Sequence, residues 1–230
     1  MRWRRRCRTY RRHRAALSFL DIGPQRSAHA TTILGVCRSG EVAIGGDGQI
    51  TFGDMVVKHG ARKIRTLHDG TVLTGFAGAV ADAMTLYEKF EVQLRDAKGD
   101  LRRAAVELAK EWRTDRYLRR LEAQLIVADA EQILVLSGEG DVIAPDDGIV
   151  AIGMGAPYAV AAARALAAHT SFSPREIVTE AMKITASLCI YTNDHLTLES
   201  ASASPVESAP PAESDETPKQ RRKRGKEGVQ

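Results

Sequence analysis

Residues 31–44 read TTILGVCRSGEVAI, and they set where the folded domain begins. Apolar residues run from Ile33 to Cys37 and again from Val42 to Ile44. The link Arg38-Ser39-Gly40 lies between them, so the pattern predicts two strands joined by a hairpin turn. The residues before Thr31 are rich in Arg and lack the apolar pattern of these two strands. The sequence therefore predicts a leader over 1–30 and a domain that starts with a strand directly after Thr31.

Charge is unevenly distributed along the 230-residue chain, whose formal net charge is +4. Residues 1–30 hold nine Arg and one acidic residue, and residues 201–230 hold six Lys and Arg against five acidic residues. Residues 31–200 consequently carry a net charge of −5. Because the basicity belongs to the two ends, the overall charge does not indicate a nucleic-acid-binding domain.

The two ends do not have the composition of a folded domain. Residues 1–14 contain eight Arg but no apolar segment of secretory-signal length. This leader is interpreted as a removed pro-segment or as translation from upstream of the true start, with a mitochondrial presequence as a further alternative. Residues 200–230 are rich in Ala, Ser, Pro and Glu, which predicts a disordered tail. Its basic run at 221–224 could also be a nuclear signal or a nucleic-acid patch.

The middle of the chain has the size of one domain with its own core. No apolar run approaches the roughly 18 residues of a membrane-spanning helix. Cys7, Cys37 and Cys189 are far apart, with no CxxC pair, which argues against a zinc site or a disulfide framework and favours a reducing compartment. No phosphate-binding motif of the Walker type is present, and Gly153-Met154-Gly155 lacks the third glycine of a dinucleotide site.

Hydrophobic periodicity predicts an alternation of strands and helix pairs. The order is strands, two helices, strands, two helices and a last strand, which indicates two packed sheets with helix pairs outside. The predicted strands span 33–37, 41–44, 49–57, 63–67, 71–77, 124–128, 133–136, 141–144, 149–152 and 195–198. The predicted helices span 78–98, 101–121 and 157–169, and a fourth begins at a capping box of Ser173, Pro174 and Glu176.

Thr31 offers a specific chemistry if the leader is cut away. A free α-amine has a pKa of roughly 7.7–8.0, so much of it can be neutral near neutral pH. An N-terminal threonine would then supply both a hydroxyl nucleophile and the base that activates it. The residues alone also allow a simpler interpretation, in which Thr31 and Thr32 are β-forming residues that precede a strand.

The ordered motifs of the domain resemble the HslV (ClpQ) family, bacterial proteasome-like peptidases that work with the ATPase HslU. The resemblance covers about 31–199. It implies an α+β fold, the four-layer αββα sandwich of the N-terminal nucleophile hydrolases, and domain limits of 31–199 with a tail at 200–230. The motifs are Thr31-Thr32-Ile33, Gly46-Asp47-Gly48-Gln49, Arg62-Lys63-Ile64-Arg65, Gly75-Phe76-Ala77-Gly78, 104–110, 112–116, 121–123, 151–153, 157–159 and Cys189-Ile190-Tyr191-Thr192-Asn193.

The resemblance implies roles for three catalytic residues. Thr31 falls on the family's nucleophile, Lys63 on the lysine beside it, and Asp47 on the aspartate that holds this lysine. An ammonium group close to the hydroxyl favours its deprotonation. The segment from Gly75 to Gly78 is the expected source of N–H groups for the oxyanion. Taken alone, Lys63 could equally be a strand-surface lysine and Asp47 a turn residue.

The resemblance also implies a cation, partners and a location. A sodium ion would be held by the main-chain carbonyls of Ala186, Cys189 and Thr192. Partners would be an HslU-type ATPase hexamer, further copies of the chain in a double hexameric ring, and unfolded protein substrates in the cytoplasm.

Met154 stands where the family commonly has a serine near the threonine amine, and methionine cannot donate a useful hydrogen bond. An amidohydrolase of small substrates and an inactive scaffold subunit stay open as alternatives, as does nucleic-acid binding through the ends.

Overall fold

A computed structural model describes residues 28–30, 32–52, 54–118, 121, 123–137 and 140–203. Thr31, most of the predicted leader and the tail beyond 203 lie outside these described residues. The strands are β1 (Ala28–Ala30), β2 (Thr32–Arg38), β3 (Glu41–Gly46), β4 (Ile50–Phe52), β5 (Met55–Lys58), β6 (Ile64–Leu67), β7 (Val72–Ala79), β8 (Ala123–Ala128), β9 (Ile133–Leu136), β10 (Val142–Ile143), β11 (Ile149–Gly153) and β12 (Thr197–Ser202). The helices are α1 (Val80–Asp96), α2 (Leu101–Thr114), α3 (Ala156–His169) and α4 (Pro174–Leu188).

The described strands form two antiparallel sheets. The larger has the order β10-β9-β8-β7-β1-β4-β5, with β6 also paired to β7, and the smaller has the order β11-β2-β3-β12. Strands β2 and β3 form the predicted hairpin. Its turn uses Ser39 at φ 56° and Gly40 at φ 75°, two positive angles in succession that match the twist of the flanking strands.

Three apolar clusters separate four layers, which confirms the predicted αββα sandwich. One cluster packs α1 and α2 against the larger sheet and includes Phe90, Trp112 and Leu125. A second lies between the sheets and includes Ile33 and Ile126. The third packs α3 and α4 against the smaller sheet. Because β2 is covered on both faces, its first residues lie deep in the domain.

Four predictions differ from the structure by more than two residues. The second helix ends at Thr114 instead of 121, because the Asp115 carboxylate accepts from the N–H groups of Tyr117 and Leu118 and closes a turn. The single extended stretch over 49–57 is a hairpin of β4 and β5. Strand β12 begins at Thr197 and continues to Ser202, three residues past the predicted domain limit of 199. The leader's residues 28–30 form β1 within the larger sheet.

The predicted start of α4 is confirmed. The Ser173 hydroxyl accepts from the Glu176 N–H at 3.3 Å, and the Glu176 carboxylate accepts from the Ser173 N–H at 2.8 Å. This reciprocal pair satisfies two N–H groups that an open helix end leaves without partners.

Within the described ranges, every helix is too short or too polar to cross a membrane.

Candidate active site

Asp47 and Lys63 form a buried ion pair beside residue 32. The Lys63 Nζ donates to Asp47 Oδ1 at 2.7 Å, and the two side chains are 1% and 0% exposed. The Thr32 N–H donates to the same carboxylate oxygen at 3.0 Å. The carboxylate therefore joins the lysine to the peptide group between Thr31 and Thr32, although Thr31 lies outside the described residues.

The backbone places this pair by continuing two strands. Strand β3 ends at Gly46, and the Asp47 N–H still donates to the Thr32 carbonyl at 3.2 Å. Lys63 immediately precedes β6, and its carbonyl accepts from the Phe76 N–H on β7 at 3.3 Å. Each side chain thus projects from a residue whose backbone is hydrogen-bonded to a sheet.

Burial dominates the electrostatics of Lys63. Removal from water lowers the pKa of its ammonium below the ordinary value, and the Asp47 carboxylate opposes this fall by its charge and its hydrogen bond. The aspartate therefore counteracts the tendency of burial to neutralise the lysine. A buried ion pair with one partner removed leaves an uncompensated charge, which is strongly destabilising.

A second polar group surrounds the hydroxyl of Thr32. The hydroxyls of Thr32 and Thr192 are 2.6 Å apart, and the Gly155 N–H donates to Thr32 Oγ1 at 3.1 Å. Thr32 is fully buried and Thr192 nearly so. These contacts tie the first residue of β2 to the turn before α3 and to the loop after α4.

Met154 does not enter this group, because its side chain is 59% exposed. The adjacent Gly155 supplies a main-chain donor, which does not depend on the side chain at 154. The donor at this turn is thus a main-chain group that binds Thr32, and Met154 adds no side-chain donor where a serine is expected.

The three residues predicted to ligate a cation lie at the end of α4. Ala186 is in the last turn of the helix, where carbonyl groups have no intrahelical partner. Cys189 is the residue that ends the helix, and its carbonyl accepts from the Thr192 N–H at 3.0 Å, which closes a turn. Carbonyl oxygens are ligands that hard cations accept, so the three residues have the right chemistry, and the ion itself stays a prediction. The described residues contain no cluster of His, Cys, Asp or Glu that could hold a metal.

The structure brings Asp47 and Lys63 together as predicted by the resemblance. Thr32, Gly155 and Asn193 belong to the same polar region but carried no prediction of their own. The sequence does contain a signal for Thr32, because it is a polar residue at the start of a strand whose following residues are apolar. The partner of its hydroxyl, Thr192, is 160 residues away and could be identified only from the fold.

Replacing Gly155 by alanine should lower the free energy of unfolding by about 1–3 kcal/mol, because it overfills a packed site. A β-carbon there would lie 2.4 Å from Thr32 Oγ1 and 2.8 Å from Thr192 Oγ1. Urea unfolding of Gly155→Ala measures the loss. Gly60→Ala is the control, since a β-carbon at Gly60 meets nothing within 4 Å. If both variants unfolded at the same urea concentration, the close packing around Gly155 would be contradicted.

Comparison with known proteins places this site in a family. The profile described as "Proteasome subunit" matches residues 27–200. The ATP-dependent protease subunit HslV of Desulfovibrio desulfuricans is 59% identical over 172 residues, which cover 74% of this chain and 97% of that protein. The subunit of the same name from Pseudothermotoga lettingae is 58% identical over 170 residues, covering 74% and 97%.

A solved structure agrees with the sequence relatives. Eukaryotic HslV from Trypanosoma brucei superposes with a TM-score of 0.71 at 48% identity, covering 75% of this chain and 99% of that one. The residues matched by the family profile include the sandwich and the Asp47–Lys63 pair. The chain therefore belongs to the proteasome family of N-terminal nucleophile hydrolases, and within it to the HslV ATP-dependent protease subunits.

Proposed function

We propose that Thr31, freed by removal of residues 1–30, is the nucleophile of a threonine endopeptidase in which Lys63 and Asp47 activate it. One observation supports the proposal: the Lys63 ammonium shares a single oxygen of Asp47 with the N–H of Thr32, the residue that follows Thr31 in the sequence. A buried ammonium at this place stabilises the alkoxide that forms when the threonine hydroxyl loses its proton.

The reaction follows the usual course of covalent catalysis. The Thr31 hydroxyl attacks the carbonyl carbon of a peptide bond, and its proton passes to the free α-amine. The tetrahedral intermediate collapses, the C–N bond breaks, and the leaving amine takes the proton. Water then hydrolyses the ester with the amine again as base, which restores the hydroxyl and releases the second product.

The position of β1 supports a peptide substrate. Residues 28–30 lie as an extended strand between β4 and β7, with Ala30 opposite Gly78 and Ile50. Once the leader is gone, the same two edges can accept a substrate strand through main-chain hydrogen bonds. The register also sets Ala30, the residue before the cut, opposite Gly78, the last residue of the Gly75–Gly78 segment. This favours β7 as the source of oxyanion N–H groups.

The same proposal covers the partners, the ion and the location. The subunit acts as a double hexameric ring in the cytoplasm, and an HslU-type ATPase hexamer unfolds protein substrates, delivers them and activates the peptidase allosterically. Energy from ATP enters through that partner, which accounts for the lack of a nucleotide motif in the sequence of this chain. A sodium ion, held by the carbonyls of Ala186, Cys189 and Thr192, would fix the loop after α4.

A fluorogenic peptide assay tests the proposed function. The mature protein should cleave the peptide slowly alone and many times faster with an HslU-type ATPase and ATP. It should not hydrolyse a small amide such as a phenylacetyl amide. Hydrolysis of the small amide without any response to the ATPase would instead favour an amidohydrolase. A protein inactive toward both substrates, yet still bound to the ATPase, would favour a scaffold subunit.

A further inference from the structure

Asn193, the only asparagine of the sequence, connects three segments of the chain. Its Oδ1 accepts from the Gly48 N–H at 2.9 Å and from the His195 N–H at 3.3 Å. Its Nδ2 donates to the His59 carbonyl at 3.0 Å. One half-buried side chain therefore joins the loop after β3, the segment between β5 and β6, and the loop after α4.

A second amide makes the reciprocal contact. The side chain of Gln49 is 5% exposed, and its Nε2 donates to the Ile190 carbonyl at 3.0 Å. Asn193 thus reaches from the loop after α4 to the loop after β3, while Gln49 reaches in the opposite direction. We call this pair, Gln49 and Asn193, the amide clamp.

The amide clamp surrounds the carboxylate of Asp47. The main-chain N–H of Gln49 donates to Asp47 Oδ2 at 2.9 Å, and the N–H of Asn193 approaches the same oxygen at 3.4 Å. The other oxygen, Oδ1, holds the Lys63 ammonium and the Thr32 N–H. Both clamp residues therefore hold the carboxylate at Oδ2 through their main-chain N–H groups.

The amide clamp also fixes the chain segment that leads to Lys63. The Ala61 N–H donates to the Gly48 carbonyl at 2.9 Å, and a β-carbon on Gly48 would lie only 2.1 Å from the His59 carbonyl oxygen. The two segments are thus in close contact, and Asn193 hydrogen-bonds to both. A shift of residues 59–61 would move Lys63, which follows two residues later.

From this arrangement we infer that Asn193 is a positioning residue for catalysis, one that holds Asp47 and Lys63 in register with Thr31. The inference rests on the proposed function, because it assigns the lysine a role in activating Thr31. A displacement of about 1 Å at a catalytic group can cost on the order of 100-fold in rate without preventing substrate from binding. Asn193 acts through Asp47 and Lys63 and need not touch the substrate.

The test measures covalent modification of Thr31 by a peptide vinyl sulfone. Intact mass followed over time gives the maximal rate of modification, kinact, and the inhibitor constant, KI. The variants are Asn193→Ala, which removes all three side-chain hydrogen bonds, and Asn193→Asp, which keeps the shape but loses the donor to His59. Gln49→Leu removes the other half of the clamp. Asp194→Asn is the matched control, the opposite amide–carboxylate exchange at the next, exposed position.

We expect kinact to fall by about tenfold or more in the Asn193 variants and in Gln49→Leu. KI should stay within about twofold of wild type, since the edges of β4 and β7 that we propose to bind the substrate strand are untouched. Asp194→Asn should match wild type in both constants. Should Asn193→Ala fail to fold, Asn193→Asp and Gln49→Leu decide the question.

Two results would overturn the inference. Wild-type kinact in the folded clamp variants would show that the clamp does not position the lysine. A rise in KI at constant kinact would assign the amides to the binding cleft. A different failure, in which the wild-type mature protein itself is not modified at Thr31, would overturn the proposed function and the inference with it.

Discussion

Replacing Thr31 by alanine should reduce peptidase activity by at least about 1,000-fold, because the hydroxyl that forms the acyl-enzyme is lost. The α-amine of the new N-terminus, the Asp47–Lys63 pair and the cleft would all remain. The variant is best prepared with an added protease site directly before residue 31. Its N-terminus can then be freed without self-processing, and the loss cannot be attributed to a retained leader.

Thr31→Ser is the matched control, since serine keeps both the hydroxyl and the amine. It should retain activity well above that of Thr31→Ala, and both variants should bind the ATPase as the wild type does. The rates are read from fluorogenic peptide cleavage with the ATPase and ATP present. Undiminished activity in purified Thr31→Ala would mean that another residue is the nucleophile.

Replacing Lys63 by methionine should remove most of the activity, by about 100-fold or more, and also destabilise the fold. The activity falls because no ammonium then stabilises the developing alkoxide. The fold weakens because Asp47, whose side chain is 0% exposed, keeps a buried charge without its cation. Breaking a buried pair in this way costs about 3–5 kcal/mol. Peptide cleavage and urea unfolding measure the two effects separately.

The double variant Lys63→Met with Asp47→Asn separates the chemical role of the pair from its structural role. With both charges gone, much of the lost stability should return, whereas the activity should stay low. An asparagine cannot accept every N–H that the carboxylate accepts, so recovery is expected to be partial. Recovery of activity together with stability would show that the ion pair serves only the fold.

Much of the fold could be predicted from the sequence because its strands and helices follow clear periods. Ile133–Leu136 is a continuous apolar run and is buried throughout, as a strand covered on both faces must be. The apolar positions of α2, such as Leu108 and Trp112, were likewise identified by their spacing and are fully buried. Two sheets between helix pairs followed from the order of these elements.

Two details of the fold depend on contacts that periodicity does not reveal. The end of α2 is set by a side chain, Asp115, which binds two following N–H groups. The turn between β4 and β5 interrupts a stretch that has the composition of a single strand. Element boundaries of this kind are decided by local hydrogen bonds, and these do not alter the hydrophobic pattern.

The prediction of the candidate site depends more on the family resemblance than on the individual residues. Asp47 and Lys63 have unremarkable neighbours in sequence, and only the fold brings them within 2.7 Å of each other. The sequence marks Asn193 only as part of a motif, because an asparagine in a loop is ordinary turn chemistry. Its contacts with Gly48 and His59 span 145 and 134 residues of sequence, respectively.

The most direct test of the account is the N-terminal residue of the active protein. Intact mass and N-terminal sequencing of the purified, peptidase-active complex should show a chain that begins at Thr31. The central claim is that removal of residues 1–30 creates the nucleophile and its base in one step. A fully active enzyme that still carries residues before Thr31 would contradict it.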